Sequence, residues 1–129
     1  MDVVRILLAD DHAIVRDQLS ARLAREPGLA LVGEASSSSQ VIESSQIFQP
    51  HILLIDPIMR DGLGVEVIRQ IALELPAITT VVLTAAADTA LVLELRRAGV
   101  RHILSKNIAT QELIETIQKI KNEIDKPNA

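Results

Sequence analysis

Apolar and polar positions fall along the chain in two alternating kinds of block. Val3 to Ala9 (VVRILLA) is apolar except at Arg5, rich in β-branched residues, and stops at Asp10-Asp11, which predicts a buried strand ending in carboxylates. Ala13 to Glu26 places Val15, Leu19 and Leu23 at i, i+4, i+8 and closes on Pro27-Gly28, the pattern of an amphipathic helix with a stop. Leu29 to Ala35 reads as a second strand. Ser36 to Ser39 then lead into a helix running to about Gln49, with Ser37 and Gln40 at capping-box spacing. His51 to Ile55 is a third strand running into Asp56. After the turn Asp61-Gly62-Leu63-Gly64, Val65 to Leu75 is helical and Pro76 stops it. Thr79 to Leu83 is a fourth strand ending at Thr84, and Asp88 to Ala98 a helix closed by Gly99. His102 to Leu104 is a short strand ending near Lys106, and Thr110 to Ile124 a last helix with Leu113, Ile117, Ile120 and Ile124 on one stripe.

Strand and helix therefore alternate five times. Such alternation implies parallel strands joined by right-handed crossovers, with helices on both faces of one sheet. Five units are too few for a closed eight-fold barrel, so the expected fold is α/β, an open doubly wound five-stranded parallel sheet, (βα)5. One domain over residues 1–124 is expected, followed by a polar tail or the start of a linker at 125–129 (DKPNA).

Parallel strands point their carboxyl ends at one edge, where open sheets bind ligands. The residues expected there are Asp10 and Asp11 after the first strand, Asp56 after the third, Thr84 after the fourth and Lys106 after the fifth. Any one of them is ordinarily a turn former, a cap or a packed side chain. Their coincidence at one edge is what points to chemistry. Two like charges ~4 Å apart cost about 4 kcal/mol at an effective dielectric near 20. A hard divalent cation, Mg²⁺ above all, relieves that repulsion and leaves room for a phosphate oxygen. With Lys106 neutralising charge from the other side and Thr84 offering a hydroxyl, the set is suited to moving a phosphoryl group onto a carboxylate. Asp56, alone at the end of the central strand, is the expected nucleophile.

Composition narrows the classes further. The 129 residues include no Cys, Trp or Tyr, one Phe (Phe48) and a net charge of −4. Missing cysteines remove disulfides, thiolate zinc sites and cysteine nucleophiles, which suits a reducing compartment. Missing aromatics and net acidity argue against direct nucleic-acid binding, because base stacking needs rings and a phosphate backbone repels negative charge. No apolar run approaches membrane-spanning length and no leader pattern precedes the first strand, so a cytoplasmic protein is expected. His12, His51 and His102 have no metal-ligand spacing with one another and are expected to cap, pack or face water.

LLADDH (Leu7 to His12), LLIDPIM with Gly64 eight residues after Asp56, VLTA (Val82 to Ala85) and AGVRHILSK (Ala98 to Lys106) together resemble the receiver domain of two-component response regulators over nearly the whole chain. ILLADDHAIVRDQL with EPGLALVGEA is most similar to the LuxR-type subfamily, whose receivers usually precede a helix-turn-helix DNA-binding domain. The resemblance implies strand order 2-1-3-4-5 and Asp56 as phosphoacceptor. It implies Asp10 and Asp11 as the acidic pair for Mg²⁺, joined by Asp56 and the backbone carbonyl of Ile58, with Thr84 as switch hydroxyl and Lys106 as phosphate-pairing lysine. It also implies a sensor histidine kinase or phosphotransfer protein as partner, and self-catalysed phosphorylation and dephosphorylation rather than turnover of a separate substrate.

Pro57 directly after Asp56, Arg60 where the family commonly has proline, and Ile103 where it usually has a ring depart from the pattern. The expected activation signal therefore passes through aliphatic packing. Leu91, Val92, Leu93 and Leu95 spread over roughly 200° of a helix, wider than the roughly 100° one buried face needs, so some are expected on an exposed partner or dimer patch with the fifth strand and helix. Other readings are a receiver that stands alone or is degenerate and only docks proteins, an aspartate-nucleophile phosphatase, and a flavodoxin-like nucleotide binder. The phosphatase would need a second Asp at position 58, where Ile58 stands. The nucleotide binder would need a phosphate loop in place of Asp10-Asp11.

Overall fold

The computed structural model describes residues 3–125, and residues 126–129 of the expected tail at 125–129 lie outside them. β1 (Val4–Ala9), β2 (Leu29–Ala35), β3 (Ile52–Ile55), β4 (Thr79–Thr84) and β5 (His102–Ser105) form one parallel sheet in the order β2-β1-β3-β4-β5. Helices α1 (Ala13–Ala24), α2 (Ser38–Phe48), α3 (Gly64–Glu74), α4 (Thr89–Arg97) and α5 (Thr110–Asp125) connect and follow the strands. This is the doubly wound (βα)5 architecture expected from the alternation.

Period-two alternation in the strands divides the core in two. Val4, Ile6 and Leu8 of β1 with Ile52 and Leu54 of β3 meet Leu23 of α1 and Leu113, Ile114, Ile117 and Ile120 of α5. Leu7 and Ala9 with Leu53 and Ile55 face the other way, onto Val41 of α2, Val67, Ile68 and Ile71 of α3, and Leu95 of α4. Because β1 and β3 bury both faces, they read as continuous apolar runs. The chain winds outward from β1 to β2 and returns on the other side at β3, so the switch point lies between β1 and β3. Their register pairs Ala9 with Ile55, which sets Asp10 and Asp56 side by side at the carboxyl edge.

Several boundaries differ from expectation. β1 begins at Val4, α3 at Gly64, and α5 runs to Asp125, one residue into the expected tail. α1 ends at Ala24 rather than Glu26: the Arg25 and Glu26 N–H groups bond to the carbonyls of Arg22 and Leu23, tightening the last turn. α2 ends at Phe48 because Gln49 takes the left-handed conformation, φ 45°, that glycine usually supplies at a helix end. The serine run caps this helix, but not as a reciprocal box. Ser37 Oγ accepts from Gln40 N at 3.4 Å, while Gln40 Oε1 accepts from Ser36 N at 2.8 Å rather than from Ser37.

The leucines of α4 also need correction. Leu95 is fully buried, Leu91 packs half-buried against the same core, and only Leu93, 49% exposed, reaches solvent. Leu91 and Leu95, four residues apart, form the buried stripe, and Leu93 is rotated about 200° from either. The apolar surface on the face of α4, β5 and α5 is therefore smaller than the leucine count implies. Ile103 of β5 lies half-buried against the core shared with Leu95, so aliphatic packing does occupy the place of the expected ring.

Candidate functional site

Backbone ladders continue just past the strands and carry the polar side chains into one crevice. Asp10 N–H donates to Ala35 O, Asp56 N–H to Ala9 O and Lys106 N–H to Thr84 O, each at 3.0 Å. Asp10, Asp56 and Thr84 are buried as a result, at 4%, 4% and 1% exposure. Buried carboxylates are tolerated only when paired. Lys106 does the pairing: its Nζ lies 2.7 Å from Asp10 Oδ2 and 2.6 Å from Asp56 Oδ2.

The remaining oxygens are held as well. Asp10 Oδ1 accepts from the His12 N–H at 2.8 Å, and Asp56 Oδ1 from the Ile58 N–H at 2.9 Å. Burial alone would raise the Asp10 pKa, but hydrogen bonds from Lys106 and His12 outweigh it and hold the carboxyl below its ordinary 3.8. Burial likewise opposes the charge on Lys106, yet its bonds to Asp10 and Asp56 raise its pKa above 10.5. Asp10 and Lys106 are therefore both ionised across the neutral range.

The crevice draws together Asp10, Asp56 and Lys106 as expected, with Thr84 at the end of the adjacent strand. Thr84 Oγ1 accepts from the Ala86 N–H at 3.3 Å, so the hydroxyl is tied into the loop after β4. Asp11 turns aside: its Oδ2 accepts from the Arg60 N–H at 2.7 Å, with the Arg60 guanidinium Nε 4.0 Å away. Arg60, where proline was the expected residue, thus uses a backbone donor that proline lacks. Ile58, 46% exposed, contributes its N–H to Asp56.

Three residues take part in the site although the sequence assigned them no site role: His12 was expected elsewhere, Asp61 only in a turn, and Gly64 only as part of a motif. His12, expected to cap, pack or face water, does not cap α1; its Nδ1 lies 2.9 Å from Asp10 Oδ1 and 3.3 Å from Lys106 Nζ. Asp10, His12 and Asp56 each offer a ligand atom within 4.8 Å of the others. The signal in the sequence was its place directly after the acidic pair. Asp61 clamps the loop after β3 to the start of α2, accepting from Ser38 N and Ser38 Oγ, both at 2.9 Å, and from Leu63 N at 3.0 Å. Gly64 packs on the Pro57 carbonyl, where a Cβ would lie 1.9 Å from the oxygen. A groove of about 450 Å³ at the opposite edge, bordered by Ile78, Thr79, Val100 and His102, contains none of these residues.

An acidic, lysine-bridged crevice at the switch point of a 2-1-3-4-5 sheet is the frame in which the comparisons with known proteins fall. The model of the response regulator receiver domain matches residues 6–118, and the chain belongs to that family. It is 31% identical over 119 residues to the response regulator protein VraR of Staphylococcus saprophyticus, covering 92% of this chain and 57% of that protein. It is 33% identical over 116 residues to the transcriptional regulatory protein LiaR of Bacillus subtilis, covering 90% and 55%. The chain thus spans a little more than half the length of these curated relatives. Among solved structures, a LuxR-family two-component response regulator from an Aurantimonas species superposes with a TM-score of 0.86 at 28% identity, covering 94% of this chain and 86% of that one. That neighbour matches the LuxR-type likeness read from the sequence. No helix among the described residues is long and apolar enough to cross a membrane.

Proposed function

We propose that this receiver domain accepts a phosphoryl group on Asp56 from a phosphohistidine of a sensor kinase or phosphotransfer protein in the cytoplasm. The placement of Asp56 carries the reading: a buried carboxylate at the end of the central strand, oriented by the Ile58 N–H and bridged by Lys106 to Asp10. A carboxylate oxygen of Asp56 attacks phosphorus, the P–N bond breaks, and the imidazole of the donor leaves. Lys106 is already 2.6 Å from one oxygen of the nucleophile, so its charge is in place for the incoming phosphoryl oxygens without rearrangement.

The donor set suits a hard divalent cation, because carboxylate oxygens of Asp10 and Asp56 lie close together in a buried pocket. Asp10 and Asp56, with Asp11 and the Ile58 carbonyl as the family resemblance implies, would hold Mg²⁺, which would supply charge neutralisation for the transferred group. Once Asp56 is phosphorylated, the Thr84 hydroxyl donates its O–H to a phosphoryl oxygen. This draws in the loop after β4 and shifts the packing of Ile103 against Leu95 and its neighbours. The switch biases an existing equilibrium. The output is control of transcription through a DNA-binding domain outside these residues, in keeping with the little more than half of each curated relative that this chain covers and with one of them being a transcriptional regulatory protein.

Incubation with a small phosphodonor and Mg²⁺, followed by intact mass measurement, is expected to show one added phosphoryl group on the wild type and none on Asp56→Asn. An unmodified wild type, or equal labelling of the variant, overturns the assignment.

A further inference from the structure

We propose that Arg60 is a specificity-determining residue of the phosphoryl transfer, its guanidinium receiving the anionic phosphoryl group of an incoming donor at the mouth of the crevice. The inference rests on the reading that Asp56 is the phosphoacceptor, and adds a second cation to that reaction.

The carboxylates of Asp10, Asp11 and Asp56 stand in or beside the crevice against the single ammonium of Lys106, so the approach is acidic and repels the group it has to admit. The nearby cations are unequally placed to offset this. Lys106 lies deep, its side chain 13% exposed and its Nζ within 2.7 Å of both buried carboxylates. Arg16 is turned to other partners: its Nη1 donates to the Asp10 carbonyl at 2.8 Å, and its Nε lies 3.5 Å from Glu34 Oε1. Arg60 differs from both. Its side chain is 87% exposed, and its Nε stands 4.0 Å from Asp11 Oδ2, beyond hydrogen-bond length. The Arg60 N–H, donated to that same oxygen at 2.7 Å, fixes where the side chain leaves the loop.

A guanidinium is thus held at the rim with its fork toward water. It stays charged at any working pH, and its planar donors match two phosphoryl oxygens at once. The exposed pair with Asp11 is weak, so exchanging it for a bidentate contact with a phosphoryl group costs little. Arg60 adds positive charge on the way in, whether or not the pocket holds a dication. With an acyl phosphate as donor, a carboxylate oxygen of Asp56 bonds to phosphorus, the acyl P–O bond breaks and a carboxylate leaves. Arg60 takes no part in those bond changes and acts on the approach, where a charged rim raises the encounter rate.

The experiment measures the second-order rate of labelling by acetyl phosphate at saturating Mg²⁺, a free donor to which no protein surface contributes, by intact mass. Wild type, Arg60→Gln and Arg60→Lys are compared at ionic strengths of about 0.1 M and about 1 M, where charges are screened beyond about 10 Å and about 3 Å. Arg60→Gln keeps the backbone N–H to Asp11 and loses the charge. It should be slower than wild type by about threefold or more at the lower ionic strength, and the difference should shrink toward equality at the higher one. Arg60→Lys should recover most of the loss. Calorimetric titration should find Mg²⁺ bound by Arg60→Gln no more weakly than by wild type, because a positive charge beside Asp11 has been removed. Equal rates at the lower ionic strength, a deficit that persists undiminished at the higher one, or a deficit that tracks weakened Mg²⁺ binding overturns the role of Arg60 and leaves the Asp56 reading intact. A wild type that takes up no phosphoryl group overturns both.

Discussion

Replacing Gly64 by alanine places two effects of opposite sign in competition at the first residue of α3. Alanine in a helix is ordinarily better than glycine by roughly 0.5–1 kcal/mol. Here, however, a Cβ would stand 1.9 Å from the Pro57 carbonyl oxygen and 2.6 Å from its carbon. An unstrained carbon–oxygen contact is about 3.3 Å or more, so one backbone segment must move by more than an ångström. Pro57 is a poor candidate to yield: its ring fixes φ, it is buried, and it follows Asp56 directly. Overpacking against backbone costs about 1–3 kcal/mol, and the rigid partner puts this site at the upper end. The net expectation is about 2 kcal/mol of destabilisation. At about 4 °C per kcal/mol for a domain of this size, that is a melting point lower by about 8 °C. Because the displaced carbonyl belongs to the residue after Asp56, the proposed phosphoacceptor, the rate of acyl-phosphate formation should fall with it. Thermal unfolding by circular dichroism and phosphodonor labelling measure the two. A melting point equal to or above wild type would refute the reasoning, because it would mean that the loop after β3 yields without cost.

Leu95→Ala should lose about 2–5 kcal/mol in urea unfolding, as a large side chain leaves a packed core, while Leu93→Ala should stay within about 0.5 kcal/mol; equal losses would contradict the assigned faces of α4. Lys106→Met should cost about 3 kcal/mol near neutrality, because two buried carboxylates lose their shared cation. Its pH dependence follows from the shifts. The depressed Asp10 pKa contributes stability that is present above about pH 4, its ordinary range, and is lost as pH falls through the lower folded value. The raised Lys106 pKa contributes stability present below about pH 10.4 and lost as pH rises through the higher folded value. The gap between wild type and variant should therefore be widest between these limits and narrow at both extremes; a gap independent of pH would show that the lysine acts only by packing.

Much of this was legible in the chain. Five alternations of apolar runs and amphipathic stripes specify five strands, five helices and a parallel sheet, since each element must bury one face or both. The residue after each strand could be placed at the carboxyl edge for the same reason, and Asp10, Asp56, Thr84 and Lys106 were found that way. These statements depend only on local periodicity and on the direction of parallel strands. What local pattern cannot contain is the contact between loops distant in sequence, because those distances are set by how the crossovers pack. Only the folded chain brings Lys106 to bridge Asp10 and Asp56, turns Asp11 toward Arg60, folds His12 back over the pocket and seats Gly64 on the Pro57 carbonyl. The leucines of α4 show the division in one element: periodicity said that not all could be buried, and packing against the sheet decided that Leu95 is in the core and Leu93 is in water.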